Sequence, residues 1–193
     1  DQLTLGTTAL YSDEEIDYDG FTHESDHIDR RRSAGSIYAF FESEAITHKV
    51  TKSFSKTDRF DLNGFNKSFL GDRDVWNYTG QAIVGGADFA FGYEETREKA
   101  EIDGETKEYK ETALISELIY AVGESGDISL AVRQTSSENY GDDTTFRVAT
   151  INRHKDELTS RFVLSSGFRA PSLYELFDSF YGNSTFTPET SLN

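Results

Sequence analysis

A side-chain period of two is the feature that most restricts what this chain can fold into. Phe89, Phe91 and Tyr93 alternate with Asp88, Ala90, Gly92 and Glu94. Ile128, Leu130 and Val132 alternate with Asp127, Ser129, Ala131 and Arg133. Leu158, Phe162, Leu164 and Phe168 share one parity, and Thr159, Arg161, Val163, Ser165 and Gly167 the other. In a strand this period puts each set on its own side of a sheet, one apolar and the other small, polar or charged. The pattern predicts about nine strands, at residues 3–11, 33–43, 47–58, 74–84, 87–101, 109–122, 127–137, 144–153 and 157–168.

The connections sharpen this. Short turns are expected at residues 44–46, 85–86, 123–126 and 154–156, and longer polar loops at 12–32, 59–73, 102–108, 137–143 and after Phe168. Short and long alternate along the chain. A soluble sandwich has no reason to gather its long loops at one end, whereas an outer-membrane barrel has short periplasmic turns and longer external loops. Composition is compatible with that class. No apolar run has the length of a transmembrane helix, but a transmembrane strand needs only about 9–11 residues. The 15 Phe, 10 Tyr and 15 Gly against 2 Pro favour β-structure. A formal charge of −16 argues against a nucleic-acid partner, which needs a basic footprint. With no cysteine there is neither a disulfide framework nor a thiolate metal site. Methionine is absent even at position 1, so the chain is expected to start inside a longer reading frame or after processing.

The stretch SSGFRAPSLYELF, Ser165 to Phe177, begins as an alternating strand, breaks at Pro171 and continues as a short amphipathic piece. It resembles the TonB-dependent outer-membrane receptors. In that family an outward-running strand ends in Gly-Phe-(Arg/Lys)-Ala-Pro-(Ser/Asn)-Leu, and a loop then leads to Gly-Asn-Pro-x-Leu-x-Pro-Glu. Gly167, Phe168, Arg169, Ala170, Pro171, Ser172 and Leu173 match the first motif, and Gly182, Asn183, Pro188 and Glu189 the second. Ser184 stands where the family usually has Pro, and Phe186 where it usually has Leu. Upstream, ALYSDEEIDYDGF, VTKSFSKTDRF and GDISLAVRQTSSENYGDDTTFRVATINR look like successive strands of cobalamin and siderophore receptors.

The resemblance implies an all-β fold: an antiparallel up-and-down transmembrane β-barrel in the bacterial outer membrane. Family barrels have about 22 strands and a plugged lumen, so residues 1–193 are expected to be a partial barrel from the middle of the wall. Plug and TonB box would precede Asp1. The implied function is active uptake of a scarce cobalamin or ferric siderophore, powered through TonB, with outer-membrane lipid around the barrel. No enzyme activity and no catalytic cofactor are implied. Lumen-facing charges such as Arg133, Arg147 and Arg161 would guide anionic chelates or contact the plug. A passive porin or structural barrel is the alternative. A hydrolase would need a Ser, a His and an acid to converge, and of the four histidines (His23, His27, His48 and His154) two sit beside short turns.

Four residues of the first acidic segment are candidate metal ligands. Glu15, Asp17, Asp19, Gly20 and Asp26 fall at positions one, three, five, six and twelve of an EF-hand-like spacing, with Glu at the first position and Asp at the last. Asp13, Glu14, Glu15, Asp17, Asp19, Glu24, Asp26 and Asp29 repel one another until a cation or an arginine neutralises them. Structural calcium, which cobalamin receptors use in comparable loops, and a solvated loop balanced by Arg30, Arg31 and Arg32 are the two readings. The His-Glu-x-x-His match at His23–His27 lacks apolar flanks that would hold a zinc-binding helix. Phe180 and Tyr181, after Pro171, are placed to touch a substrate. Trp76 is expected near the outer start of a strand, as a membrane-girdle residue or as a ligand contact from above.

Overall fold

The computed structural model describes residues 3–19, 25–62, 68–102, 104–154 and 157–193. Ten strands follow one another: β1 (Leu3–Asp19), β2 (Ser25–Glu42), β3 (Thr47–Asp61), β4 (Ser68–Val84), β5 (Ala87–Ile102), β6 (Glu105–Val122), β7 (Gly126–Ser137), β8 (Gly141–Arg153), β9 (Thr159–Arg169) and β10 (Glu189–Leu192). A five-residue helix, α1 (Leu173–Phe177), lies between the last two. The strands form one sheet in sequence order, each pairing antiparallel with the next. The alternating pattern predicts the strands, and their up-and-down antiparallel order is the one the resemblance implies.

The register confirms the two faces. Leu5, Ala39, Val50, Tyr78, Tyr93 and Leu114 stand opposite one another across successive strands, and so do Thr51, Asn77, Glu94, Ala113 and Thr135. The first row belongs to an oily face and the second to a polar one. The oily face does not fold against another layer: Leu5 is 69% exposed, Leu114 60% and Phe162 62%. Among the described residues no large side chain is fully buried, and the buried apolar set is Ala87, Ala100, Ile102, Ala113, Ala149, Leu173 and Leu176. A soluble sandwich would have packed these faces on each other. An apolar surface of this extent instead marks contact with lipid or with another protein.

At the short-turn end the oily face carries a row of rings. Phe41 stacks on His48 at 4.4 Å, His48 Nδ1 meets the Tyr78 hydroxyl at 2.9 Å, and Tyr78, Phe91 and Phe89 follow edge to face and stacked. Gly85 and Gly86 close the β4–β5 hairpin with φ of +59° and +82°. A two-residue loop with both angles positive matches the right-handed twist of the strands, and only glycine adopts it cheaply.

At the other end the strands run further than the sequence pattern predicts. Residues 12–32, expected as a loop, are strand up to Asp19 and again from Ser25. The expected loop at 59–73 is strand to Asp61 and from Ser68. Opposite charges facing across the ladder make this extension stable: Arg31 meets Asp13 at 3.5 Å, and Arg73 meets Glu98 at 2.8 Å. The expected nine strands become ten because β10, only four residues long, pairs with β9.

Candidate functional site

Among the described residues, the segment that follows β9 is what folds onto the polar face. Pro171 ends the strand, and Ser172 caps α1: its hydroxyl accepts from Glu175 N–H at 3.2 Å, while the Glu175 carboxylate accepts from Ser172 N–H at 2.8 Å. Ser172's N–H, then its hydroxyl, hold the Glu175 carboxyl below its usual range. Arg169 grips the same carboxylate with two hydrogen bonds of 3.1 and 2.7 Å. Beyond the helix, the Asp178 carboxylate accepts from the N–H groups of Phe180 and Tyr181 at 2.9 and 2.6 Å, and Gly182 N–H donates to Asp178 O at 2.9 Å. A Cβ at Gly182 would stand 2.3 Å from that oxygen, so the turn requires glycine.

The segment is seated by Leu173, which packs with Ala100 and Ile102 of β5 and is flanked by Phe69, Tyr109 and Phe177. Leu173 and Leu176 are both buried. Burying such side chains stabilises the docked segment by about 1.5–3 kcal/mol each. Two cations reinforce the seat. Lys107 Nζ lies 5.1 Å from the centre of the Phe177 ring, and the Arg59 guanidinium lies 5.9 Å from Phe69 and 5.7 Å from Tyr174. Between the segment and the wall is a recess of about 280 Å³, lined by Glu94, Glu111, Arg133 and Leu176 among others.

The charges of the polar face are mostly balanced in place. Arg133 bridges Glu94 at 2.9 Å and Glu111 at 3.3 Å, so most of its charge is spent on the wall. Arg30 and Arg32 both bind Glu14, the latter at 2.8 Å. These two guanidiniums, Arg32 first, with the Ser12 hydroxyl, hold the Glu14 carboxyl down to about 2. Arg147 and Arg161 face the same side in β8 and β9, and neither enters an ion pair among the described residues.

The expected site residues divide between the two faces. Phe180 and Tyr181 follow α1 directly, edge to face at 4.8 Å, and are 58% and 63% exposed. Trp76 stands on the oily face, opposite Lys52, whose ammonium sits 5.3 Å over its ring; the structure does not bring it together with Phe180 and Tyr181. The pleat also splits the acidic set. Glu15, Asp17 and Asp19 share the parity of Tyr11 on the oily face, above its apolar part, whereas Asp26 is paired with Tyr18 on the polar face and is buried. His27 sits within the first group, its Nδ1 3.1 Å from Asp17 and its Nε2 3.0 Å from Asp29 and 3.3 Å from Glu15. Only an imidazolium donates from both ring nitrogens. The hydrogen bond to Asp17, then those charges from Asp29 and Glu15, raise its pKa accordingly. Gly20, His23 and Glu24 lie outside the described residues. His48 and His154 are far from this group in the chain, at the short-turn end.

Arg59, Phe69, Tyr109 and Tyr174 are the residues that sequence reasoning missed. The capping box at Ser172 and Glu175 and the Leu173–Leu176 spacing were the available signal for a helix there. Nothing in the sequence says which strand residues lie beneath it.

No protein-family model matches the chain, and no curated protein matches it. Among solved structures the chain is similar to the siderophore receptor PirA from Pseudomonas aeruginosa, with a TM-score of 0.82 and 13% identity over 98% of this chain. The chain spans 38% of the length of that receptor. At this identity the likeness speaks for the fold: the sheet follows the wall of a receptor barrel.

Proposed function

We propose that the chain is wall and external loop of a TonB-dependent receptor in the bacterial outer membrane, taking up a ferric siderophore or a cobalamin-type ligand. The observation that carries this is the α1 segment seated on the polar face of a sheet whose other face is oily and uncovered. In a barrel of the PirA kind the oily face meets lipid, the polar face meets the lumen, and α1 narrows the external mouth. The paired motifs around Pro171 and Pro188 support the same family. Ligand selection would take place at the mouth, near Phe180 and Tyr181. Energy coupling would belong to a plug and to TonB, outside these residues. Trp76, with its ring on the oily face and a lysine above it, suits the outer aromatic girdle better than a ligand contact.

A strain lacking the full-length receptor is the test. Uptake of labelled ferric siderophore or cobalamin should fall with the deletion, return with the gene, and disappear again without TonB or without the proton gradient. Uptake that survives both removals would establish a passive porin instead. Structural calcium remains part of the proposal, with Glu15 and Asp17 as neighbouring side chains on one face; Asp19, four residues from Glu15 on the same strand, stands about 13 Å from it and is out of reach of the same ion. His27 already supplies a positive partner there, so calcium has to displace its proton.

A further inference from the structure

Among the described residues most arginines of the polar face are paired with carboxylates; Arg59, Arg147 and Arg161 are not, and of these Arg59 lies against α1. Arg30 and Arg32 hold Glu14, Arg73 holds Glu98, Arg133 holds Glu94 and Glu111, and Arg169 holds Glu175. Arg59, on the same face of β3, enters no ion pair among the described residues. Its Nε is buried and has no hydrogen-bond partner. The neighbouring carboxylates direct their hydrogen bonds to other donors: Asp61 accepts from the Tyr18 hydroxyl at 2.9 Å, and Asp178, whose carboxyl feels the Arg59 charge, accepts from Phe180 and Tyr181 N–H. The guanidinium is left between the Phe69 ring of the wall and the Tyr174 ring of α1. A buried guanidinium nitrogen without an acceptor is costly, and such groups call for an explanation.

We propose that Arg59 is an anchoring cation for an anionic ligand, held in reserve under the α1 segment until that segment lifts. The inference rests on the transport reading and deepens it. In the seated form the Tyr174 ring lies 5.7 Å from the guanidinium, and Nε is buried without a partner. When α1 rises, the planar fork is uncovered at the mouth of the lumen, with Phe69 still beneath it. Carboxylate or phenolate oxygens of a chelate then meet the fork in the geometry it favours, two parallel N–H···O bonds. The ligand and the Tyr174 ring compete for one cation, so binding and the lifting of α1 are coupled.

The experiment uses the full-length receptor in detergent with two probes, the anionic ferric tris-catecholate and a neutral ferric trihydroxamate. Folding of each variant is checked by heat-modifiable gel mobility. Arg59→Gln should weaken the catecholate by about tenfold or more, the value of one charge-assisted pair, and leave the hydroxamate unchanged. Arg59→Lys, which keeps the charge without the fork, should restore only part of the affinity. Tyr174→Ala should raise hydrogen exchange over Leu173–Phe177 while catecholate binding is kept or strengthened. Equal catecholate affinity in the wild type and Arg59→Gln overturns the anchoring role and leaves the transport reading standing. Tightened catecholate binding in Arg59→Gln overturns it too. If neither probe binds the wild type, the anchoring role falls, and the transport reading is then decided by the cobalamin arm of the uptake test.

Discussion

Two side chains at the tip of the β1–β2 hairpin set a pH window between them. The Glu14 carboxyl, held to about 2 against an ordinary 4.5, is a group whose folded pKa is depressed. Its contribution is complete above about 4.5 and is lost as pH falls towards 2. His27 is the opposite case, with its pKa raised above 6.5. Its contribution is complete below 6.5 and is lost as pH rises through the folded value. The tip should therefore be best protected between about pH 4.5 and 6.5, where both pairings are intact. Hydrogen exchange of the full-length receptor, corrected for the intrinsic pH dependence, should show protection over residues 12–19 and 25–32 falling on both sides. His27→Gln should abolish the alkaline fall and leave the acid one. Calcium, if it binds Glu15 and Asp17, should restore protection on the alkaline side, where the imidazole no longer competes. No restoration there removes calcium from the account.

The length of the strands carries a separate expectation. β1 and β6 have 17 and 18 residues, against the roughly 9–11 that a tilted strand needs to cross a bilayer. The surplus sits at one end, where the sequence is dense in charge. Single cysteines at Asp13, Glu98 and Glu108 should react with a membrane-impermeant maleimide on intact cells, and cysteines at Leu118 and Phe162 should not. Labelling of the second pair and protection of the first would invert the assignment of the faces and ends. The strands within the predicted apolar belt were legible because one oily face and one polar face impose a strict alternation on them. Their extensions were not. Beyond that belt both faces carry charge, so Glu14, Glu15, Arg30 and Arg31 show no alternation of oily and polar, and dense charge resembles a loop. What orders them is pairing across strands, which depends on register and is invisible in a linear pattern. β10 has no period to read, since four residues are too few; the receptor resemblance, in which the second motif leads into a descending strand, is what pointed to it. Phe180 and Tyr181 could be placed beside Pro171 because they are its neighbours in sequence. Arg59, more than a hundred positions upstream of Tyr174, could not.

At the level of the molecule, the sheet has two uncovered edges. Among the described residues β1 pairs only with β2, and β10 only with β9, so the far side of each presents N–H and C=O groups with no ladder partner there. In water, such an edge invites pairing with another chain. In lipid the groups have no partner at all, and each costs several kcal/mol. The sheet also lacks an interior that would offset this, since its oily face is uncovered and its largest buried cluster is the small one beneath α1. The 193-residue chain expressed by itself should therefore accumulate in inclusion bodies, and in detergent it should refold only into heterogeneous β-rich oligomers. A longer chain that brings the edges of β1 and β10 into a closed circuit should refold to a monomer with heat-modifiable mobility. Circular dichroism with light scattering on both samples decides the matter. A monodisperse, soluble and cooperatively melting monomer from the 193 residues alone, without detergent, would mean that the oily face has found cover and that lipid is not its solvent. The reading of these strands as a transporter wall would then lose its physical basis.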